Sequence, residues 1–472
     1  MIKPVEHLTV DERAARGKAA RLALPRARHG EWTEGQRTVE PLKLLAEQAE
    51  TRVAELVPIR HGRMAASPFA YYRGAALPMA ADLATRPHSG LTVQLCGDAH
   101  LSNFGVFASP ERRMVFDIND FDETLPGPFE WDVKRLAASF EIAGRERGFA
   151  AGDRRDVVAA TVREYRTVMR RAAAMGTLEA WYAHMEIGDL LAWLDDEVRS
   201  ERLTKREVRV AKRNVAKART RDSMRAFKRL TEEVDGELRI VSDPPLVVPL
   251  EDLVAPGRLR EESEAAIHGL LESYRQTLAG LHHPVEEFRY VHTARKVVGV
   301  GSVGTRAWIL LLLGRDRDDP LFLQAKEAQA SVLEPFLGSS EYAHHGQRVV
   351  AGQRLMQAAT DIFLGWQRVP DIDGETRDYY VRQLHDWKGS LDVETMLLPG
   401  ATAYGRLCGA TLARAHARSG DRIALAAYLG NGDAFDRAIV DFAVRYADQN
   451  ERDHEALAGA VRSGRLAAET GL

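Results

Sequence analysis

The chain is poor in cysteine: Cys96 and Cys408 are the only two in 472 residues. That excludes a disulfide-stapled scaffold and a cysteine-rich metal centre. Long apolar runs are missing as well. None exceeds the seven residues of Ala307 to Leu313, far below the ~20 residues that cross a bilayer as a helix, so no membrane association is expected. Net charge is slight, −3 from 65 Lys and Arg against 68 Asp and Glu, and bulk charge therefore points neither to specific nucleic-acid binding nor to an anionic surface. Met1 to Gly30 is charged throughout and lacks the apolar core of a signal peptide. A cytoplasmic protein is the expectation. There is no internal repeat and no low-complexity tract. With 45% hydrophobic residues, a chain of this length has the material for two or three folding units or one large two-lobed enzyme.

Apolar spacing predicts a mostly helical segment over residues 1–63. A helix over 69–84 follows, capped by Ser67 with Pro68 in its first turn. Leu91 to Leu95 and Met114 to Ile118 read as short buried strands, and Trp131 to Arg145 as a helix. Residues 153–290 look mainly helical, apart from Glu237 to Leu250, which with Pro244-Pro245 reads as an extended connection. Within them Arg202 to Arg229 holds twelve Lys or Arg against Glu207 and Asp222, a pattern that suits a solvated helix face or, alternatively, a clamp for phosphate or another anion. Charge reversal at Arg209 and Lys212 is the natural test of the clamp. The pattern then changes to a β-meander: a strand running into the glycine turn after Lys296, then Ala307 to Leu313, then Leu321 to Lys326. Helices near Ser331–Leu337 and Arg348–Thr360, a strand from Asp378 to Leu384 and helices over 402–418 and 433–465 complete the pattern.

The chemistry concentrates in two early segments. Gly97-Asp98-Ala99-His100-Leu101-Ser102-Asn103 sets an Asp and an Asn in one tight loop, and Ile118-Asn119-Asp120-Phe121-Asp122-Glu123 adds carboxylates at a strand end. In phosphoryl transfer an Asp accepts the proton of the attacking hydroxyl, and an Asn oxygen with a second Asp holds magnesium against the phosphates. Magnesium needs only one or two carboxylates beyond those phosphates. Asp98 is thus the candidate base, and Asn103 and Asp120 the candidate metal ligands. Asp117 is the fallback, although strand alternation turns it away from Asp120. The competing reading is a set of Asx turns bonding their own backbone, with Glu123 simply solvated. Asp132, opening the next helix, is placed to accept N–H groups from the Asp98 loop and to cap its own helix. His100 reads as a brace for that loop.

Gly299, Gly301 and Gly304 form G-x-G-x-x-G, but a strand follows where the dinucleotide-binding version needs a helix. Strand–glycine turn–strand suits the loop that covers ATP phosphates with backbone N–H groups, Ser302 among them. Lys326, twenty-two residues after Gly304, can reach those phosphates from the third strand and pair with a helix carboxylate, Glu334 or, less well placed, Glu341. A plain turn and a lysine reaching for water are the alternatives.

These residues resemble the protein-kinase-like superfamily, most closely its aminoglycoside and choline phosphotransferase branch. Gly97 to Asn103 is similar to that branch's catalytic loop, Asp120 to Glu123 to its metal-binding strand end, and Gly127-Pro128 through Trp131-Asp132-Val133 to the helix start that follows. Nearly the whole chain also resembles an uncharacterised bacterial family, domain of unknown function 2252. The resemblance runs through Arg63-Met64, Ser67 to Gly74, the two acidic segments, Val297 to Thr305, Gln324 to Ala328, Asp441-Phe442 and Tyr446 to Gln449. The kinase-like resemblance implies an α+β, two-lobed fold with ATP and Mg as cofactors, while the bacterial family brings no substrate. In the superfamily the glycine loop and lysine precede the catalytic loop, whereas here they follow it by about two hundred residues. A circular permutation accounts for that order, because chain termini tend to lie close together on a domain surface.

The expected organisation is a helical extension at 1–66, the catalytic part of the larger lobe at 67–150 and a helical insertion at 151–289. A nucleotide-binding small lobe at 290–390 and returning helices at 391–472 follow. The expected activity is phosphoryl transfer to a hydroxyl of a small molecule or a protein. The alternatives are a nucleotide-binding regulatory module without turnover, nucleotidyl transfer, or a metal-dependent phosphoesterase built from Asp98, His100, Asp117 and Asp120. The sequence gives no oligomeric state.

Overall fold

A computed structural model describes residues 7–471 apart from 34, 36, 201–202, 221, 255–268, 279, 281, 298, 385 and 390–392. Arg202 and Arg221 of the basic run and Val298 of the glycine loop lie outside the described residues. The fold mixes helices with antiparallel sheets.

The helical body is built around Glu130–Glu146, Ala151–Ala174, Leu398–Ser419 and Ala434–Arg462. Leu398–Ser419 lies along Ala151–Ala174 at close range. Gly405 and Gly409, one turn apart, allow this, since a Cβ on either would collide with Thr161. The N-terminal helix Val10–Ala23 packs on Arg422–Leu429, joining the two ends of the chain in one body.

Two small strand pairs rest on this body. Thr92–Leu95 pairs with Leu125–Pro128, and Phe104–Ala108 pairs with Met114–Ile118. The chain passes from the first pair to the second through residues 96–103 and returns through 119–124, so both acidic loops emerge side by side. The expected helix over 69–84 is broken into Pro68–Gly74 and Ala76–Ala84. Pro78 causes the break, because its ring excludes the Gly74 carbonyl four residues earlier. The freed carbonyl accepts a hydrogen bond from Arg60 Nη2 at 3.0 Å. Ser67 caps the first half as expected, its hydroxyl accepting from the Ala70 N–H at 3.1 Å.

The larger sheet has six antiparallel strands in the order Gly365–Pro370, Thr376–Gln383, Pro320–Glu327, Ala307–Leu313, Arg289–Lys296, Val247–Pro249. The meander is therefore present. Its first strand ends at Lys296, and residues 297–306 form the loop to the second strand. Ala307–Leu313 is apolar without alternation because both its faces are covered. Ile309 and Leu311 meet Phe322 and Leu384 on one side, and Leu310 and Leu312 meet Tyr274 and Phe363 on the other. Each such buried leucine contributes about 2 kcal/mol. Two strands lie outside the sequence expectation. Val247–Pro249, from the segment read as an extended connection, joins the sheet edge, and Gly365–Pro370 forms the opposite edge. A small hairpin, Thr231–Val234 with Glu237–Ile240, stands where the helical stretch gives way to that connection.

Sheet and body are joined at two places. Helix His345–Met356, between the third strand of the meander and the next, packs on both the sheet and Leu398–Ser419. Beyond Gln383 the chain crosses to the body, where Gly389 and Val106 exchange backbone hydrogen bonds at 2.7 and 3.0 Å.

Candidate functional site

The Asp98 loop is set by its backbone. Gly97 has φ +83°, and a Cβ there would collide with the Glu123 carbonyl. Only glycine lets the two acidic loops lie this close. The Asp132 carboxylate accepts the Cys96 and Gly97 N–H groups at 2.8 and 3.1 Å. His416 Nε2 lies 3.2 Å from the same carboxylate, and its Nδ1 lies 2.9 Å from the Tyr165 hydroxyl. Asp132 thus anchors the loop as expected, but it does not cap its own helix, which begins without a side-chain cap.

Asp98 Oδ1 accepts from Arg135 Nε at 2.6 Å. Burial raises the Asp98 carboxyl above its ordinary value, and Arg135 and Arg73 pull it back part of the way. Asn103 Nδ2 donates to the Asp98 carbonyl at 2.8 Å, which leaves its side-chain oxygen as the acceptor beside the cleft. His100 is buried and held well below its usual pKa by that burial and by Arg73 and Arg135, so it stays neutral. Its Nε2 stands 3.7 Å from Asp98 Oδ2 and its ring meets Phe69 edge-on, consistent with a brace.

In the second loop Asp120 accepts the Asp122 N–H at 3.2 Å. Burial, reinforced by Asp122, raises the Asp120 carboxyl. Asp122 is bound by Lys326 Nζ at 2.5 Å and by the Tyr380 hydroxyl at 2.6 Å. Burial works against its ionisation, but Lys326 and these hydrogen bonds outweigh it, and the carboxyl sits below its ordinary value. Lys326 and Tyr380 are cross-strand neighbours, as are Gln324 and Arg382, so all four share the face that looks onto this loop.

Three expectations are corrected. Lys326 pairs with Asp122, and Glu334 is engaged elsewhere. Glu334 heads a single helical turn, accepts the Ser331 N–H at 3.1 Å and lies 3.9 Å from Arg348 Nε. The helix that does pack on the sheet presents Arg348, which donates to the carbonyls of Thr124, Asp122 and Gln329 at 2.7–2.8 Å. With a cation in that place, the lysine takes its counter-charge from the acidic loop; Glu341 is exposed. Asp117 is turned away from the cleft. It bonds the Ile118 N–H at 2.9 Å and faces Arg418 and Arg414, so the four-residue phosphoesterase set is not assembled. Glu123 is not freely solvated. It accepts the Val332 N–H at 2.7 Å, and burial pushes its pKa up to about 7.

That last value has a measurable consequence. The folded-state pKa exceeds the ordinary value of 4.5, so folding takes up a proton between those values. Stability from this group is present below pH 4.5 and is lost as pH rises through about 7. Glu123→Gln is expected to stabilise the ligand-free protein at pH 8, by about 3 kcal/mol at most, and to have little effect at pH 4.5. Urea denaturation at the two pH values reads this, and an equal shift at both would count against it.

The glycine loop is pinned over these groups. Gly299 and Gly304 have φ of +67° and +91°. The Gly299 carbonyl accepts from Arg63 Nη1 at 2.6 Å, the Gly304 carbonyl from the Val53 N–H at 2.8 Å, and the Val303 carbonyl from Arg52. Gly301 faces the Arg73 carbonyl, and Ser302 Oγ lies 3.4 Å from Asp122 Oδ2. Two hollows meet beneath the loop and share Asp120, Gly299 and Ser302. The smaller, about 170 Å³, holds Asp98, Asn103, Asp122, Glu123 and Arg73. The larger, about 640 Å³, holds Lys326, Arg382, Lys388 and three cations of the basic run, Lys217, Arg225 and Arg229.

Among the described residues no three His, Cys, Asp or Glu side chains cluster to hold a metal by themselves. A hard cation shared with phosphates needs less than that, and Asp120 with the Asn103 oxygen supplies a fitting pair of oxygen donors at one hollow. Sequence reasoning missed Arg73, Arg135, Tyr380 and Arg382. The alternation of Tyr380 and Arg382 along one strand was the available signal for the last two.

A sheet-and-helix protein with a charged cleft beneath a glycine loop is the class that fold and site define. Within it, the chain belongs to the family described as an uncharacterized protein conserved in bacteria (DUF2252), whose model matches residues 52–460. Neither a curated protein nor a solved structure matches the chain.

Proposed function

We propose that the protein is an ATP- and magnesium-dependent phosphotransferase, kinase-like in architecture, with its two lobes in exchanged chain order. One observation carries this reading: the ion pair between Lys326 and Asp122, residues 204 apart in sequence. Through it the lysine strand meets the second acidic loop, beneath the glycine loop and between the two adjoining hollows. A glycine loop between the first two strands of a meander, a lysine on the third and a helix next in the chain is the order that kinase small lobes use.

In this mechanism the N–H groups of residues 299–304 and the Lys326 ammonium hold the phosphates. Asp120 and Asn103 would hold magnesium, which supplies charge neutralisation at the transferring group. Asp98, fixed by Arg135 and by the loop that Asp132 anchors, orients the acceptor hydroxyl and takes its proton. Lys326 shifts from Asp122 towards the phosphates when nucleotide enters. Catalysis of this kind consists of positioning and electrostatics, and the residues needed are those that line the cleft.

Calorimetric titration of ATP with magnesium tests the assignment. Wild type is expected to bind, and Asp120→Ala to lose at least about tenfold in affinity, equivalent to 1.4 kcal/mol. Equal affinity in the two proteins would overturn it.

A further inference from the structure

The smaller hollow holds two opposite charges that do not meet. Arg73 and Asp120 both line it, with Asp98, Asn103, Gly301 and Ser302. Asp120 accepts the Asp122 N–H at 3.2 Å and makes no ion pair among the described residues. Arg73 makes none either, and its Nε is sealed from solvent without a hydrogen-bond partner among those residues. Burial depresses Arg73 below the ordinary arginine value, and Asp98 and Asp120 pull it back part of the way without touching it. The other acidic groups here already have partners. Asp98 has Arg135, Asp122 has Lys326, and Glu123 has the Val332 N–H. A desolvated N–H with no acceptor is unfavourable, and it marks a group whose partner is missing from the ligand-free chain.

The backbone around Arg73 is held in place. Arg73 is the penultimate residue of helix Pro68–Gly74. The carbonyl before it, on Tyr72, accepts from Arg135 Nη2 at 2.8 Å, and the carbonyl after it, on Gly74, accepts from Arg60 Nη2 at 3.0 Å. Arg135 also binds Asp98 at 2.6 Å. One guanidinium therefore fixes the candidate base and the backbone beside Arg73 in a single frame. The Arg73 carbonyl in turn lies against Gly301, where a Cβ would come within 3.0 Å of it. Helix, glycine loop and Asp98 loop converge on this residue, and with its backbone fixed Arg73 has little freedom to close on Asp120.

An occupant that satisfies both ends presents anionic oxygens to Arg73 and a cation to Asp120, as a magnesium-bound phosphate does. The volume, about 170 Å³, is below that of a site for a whole nucleotide and suits a single phosphoryl group. We propose that Arg73 is a catalytic residue that binds the terminal phosphate of ATP and neutralises its charge during transfer. This rests on the phosphotransferase reading and gives that site a residue the motifs do not include. The paired N–H donors of a guanidinium match phosphoryl oxygens better than an ammonium does. In the transfer the bond from the γ-phosphorus to the bridging oxygen breaks with its electron pair remaining on ADP. The acceptor hydroxyl oxygen forms the new bond to phosphorus, and its proton passes to Asp98. Charge on the oxygens of the moving group is met by Arg73 throughout. Lys326, which lines the larger hollow, serves the phosphates that stay on ADP.

The test is calorimetry on the full chain with magnesium, titrated with ATP and, separately, with ADP. Arg73→Ala is expected to weaken ATP at least tenfold while holding ADP within about twofold, since only the terminal phosphate reaches this side chain. Arg73→Lys keeps the charge without the paired donors and should fall between wild type and Arg73→Ala for ATP. The denaturation midpoint of Arg73→Ala should stay near that of wild type, because no described group loses a partner. If that variant does not fold, Arg73→Lys carries the same comparison. Unchanged ATP affinity, or equal losses for ATP and ADP of the kind a purely structural residue gives, would overturn the role. Wild type without affinity for either nucleotide overturns the phosphotransferase reading itself, and the role of Arg73 with it.

Discussion

Asp98→Asn is expected to cut transfer by about 10²–10⁴ while leaving nucleotide affinity within about twofold of wild type. The split follows from the geometry. An Asn side chain keeps an oxygen for Arg135, which donates to Asp98 at 2.6 Å, so the loop should hold its shape. The Asn103 amide bonds the backbone carbonyl at this position and is indifferent to the exchange. What disappears is the capacity to take a proton. Magnesium-dependent release of ADP, measured beside calorimetric ATP binding, separates the two effects. Wild-type turnover in the variant would remove Asp98 from the chemistry, and a parallel loss of binding would mean that it serves structure or metal.

The second large effect is on stability. Lys326 is 2% exposed, and it is the principal counter-charge of Asp122. Lys326→Met keeps most of the side-chain volume but leaves a partly buried carboxylate with only the Tyr380 and Ser302 hydroxyls. Breaking one side of a fully buried pair costs about 3–5 kcal/mol; with Asp122 a quarter exposed, about 2 kcal/mol is expected, more than the intact pair contributes, because the orphaned charge stays partly desolvated. The double variant Lys326→Met/Asp122→Asn is accordingly expected to recover at least half the loss. Denaturant unfolding of the four proteins in the cycle measures this. A single variant as stable as wild type, or a double variant worse than the single, would show that the two groups do not depend on each other.

How much was legible from sequence follows the range of the interaction. Asp98, Asn103, Asp120 and the glycine turn are local patterns, and a loop with a strand on either side places them with little help from the rest of the chain. The strands at 92–95, 114–118 and 307–313 were legible for the same reason. Asp132 was readable because a helix start so near the loop has few other N–H groups to accept. Arg135 was not, since a helix-borne arginine looks the same whether it meets solvent or a carboxylate thirty-seven residues earlier. The partner of Lys326 was misassigned for a related reason. Sequence offers Glu334 at a plausible helix start, but only tertiary packing reveals that Arg348 occupies that corner and that Asp122 faces the sheet. Residues 247–249 were legible as extended but not as a paired strand, because three residues at a sheet edge carry no periodicity of their own. The basic run shows the same limit. Its charge was evident, but the break at Asp222, which turns Arg225 and Arg229 towards the hollow and leaves Lys212 outside it, belongs to the fold.

Residues 52–63 grip the rim of the cleft at the carbonyls of Gly299, Val303 and Gly304. The position of residues 299–304 over the two hollows is therefore set in part by the N-terminal helices, far from them in sequence. The same segment also reaches the smaller hollow itself, where Arg52 stands on its lining.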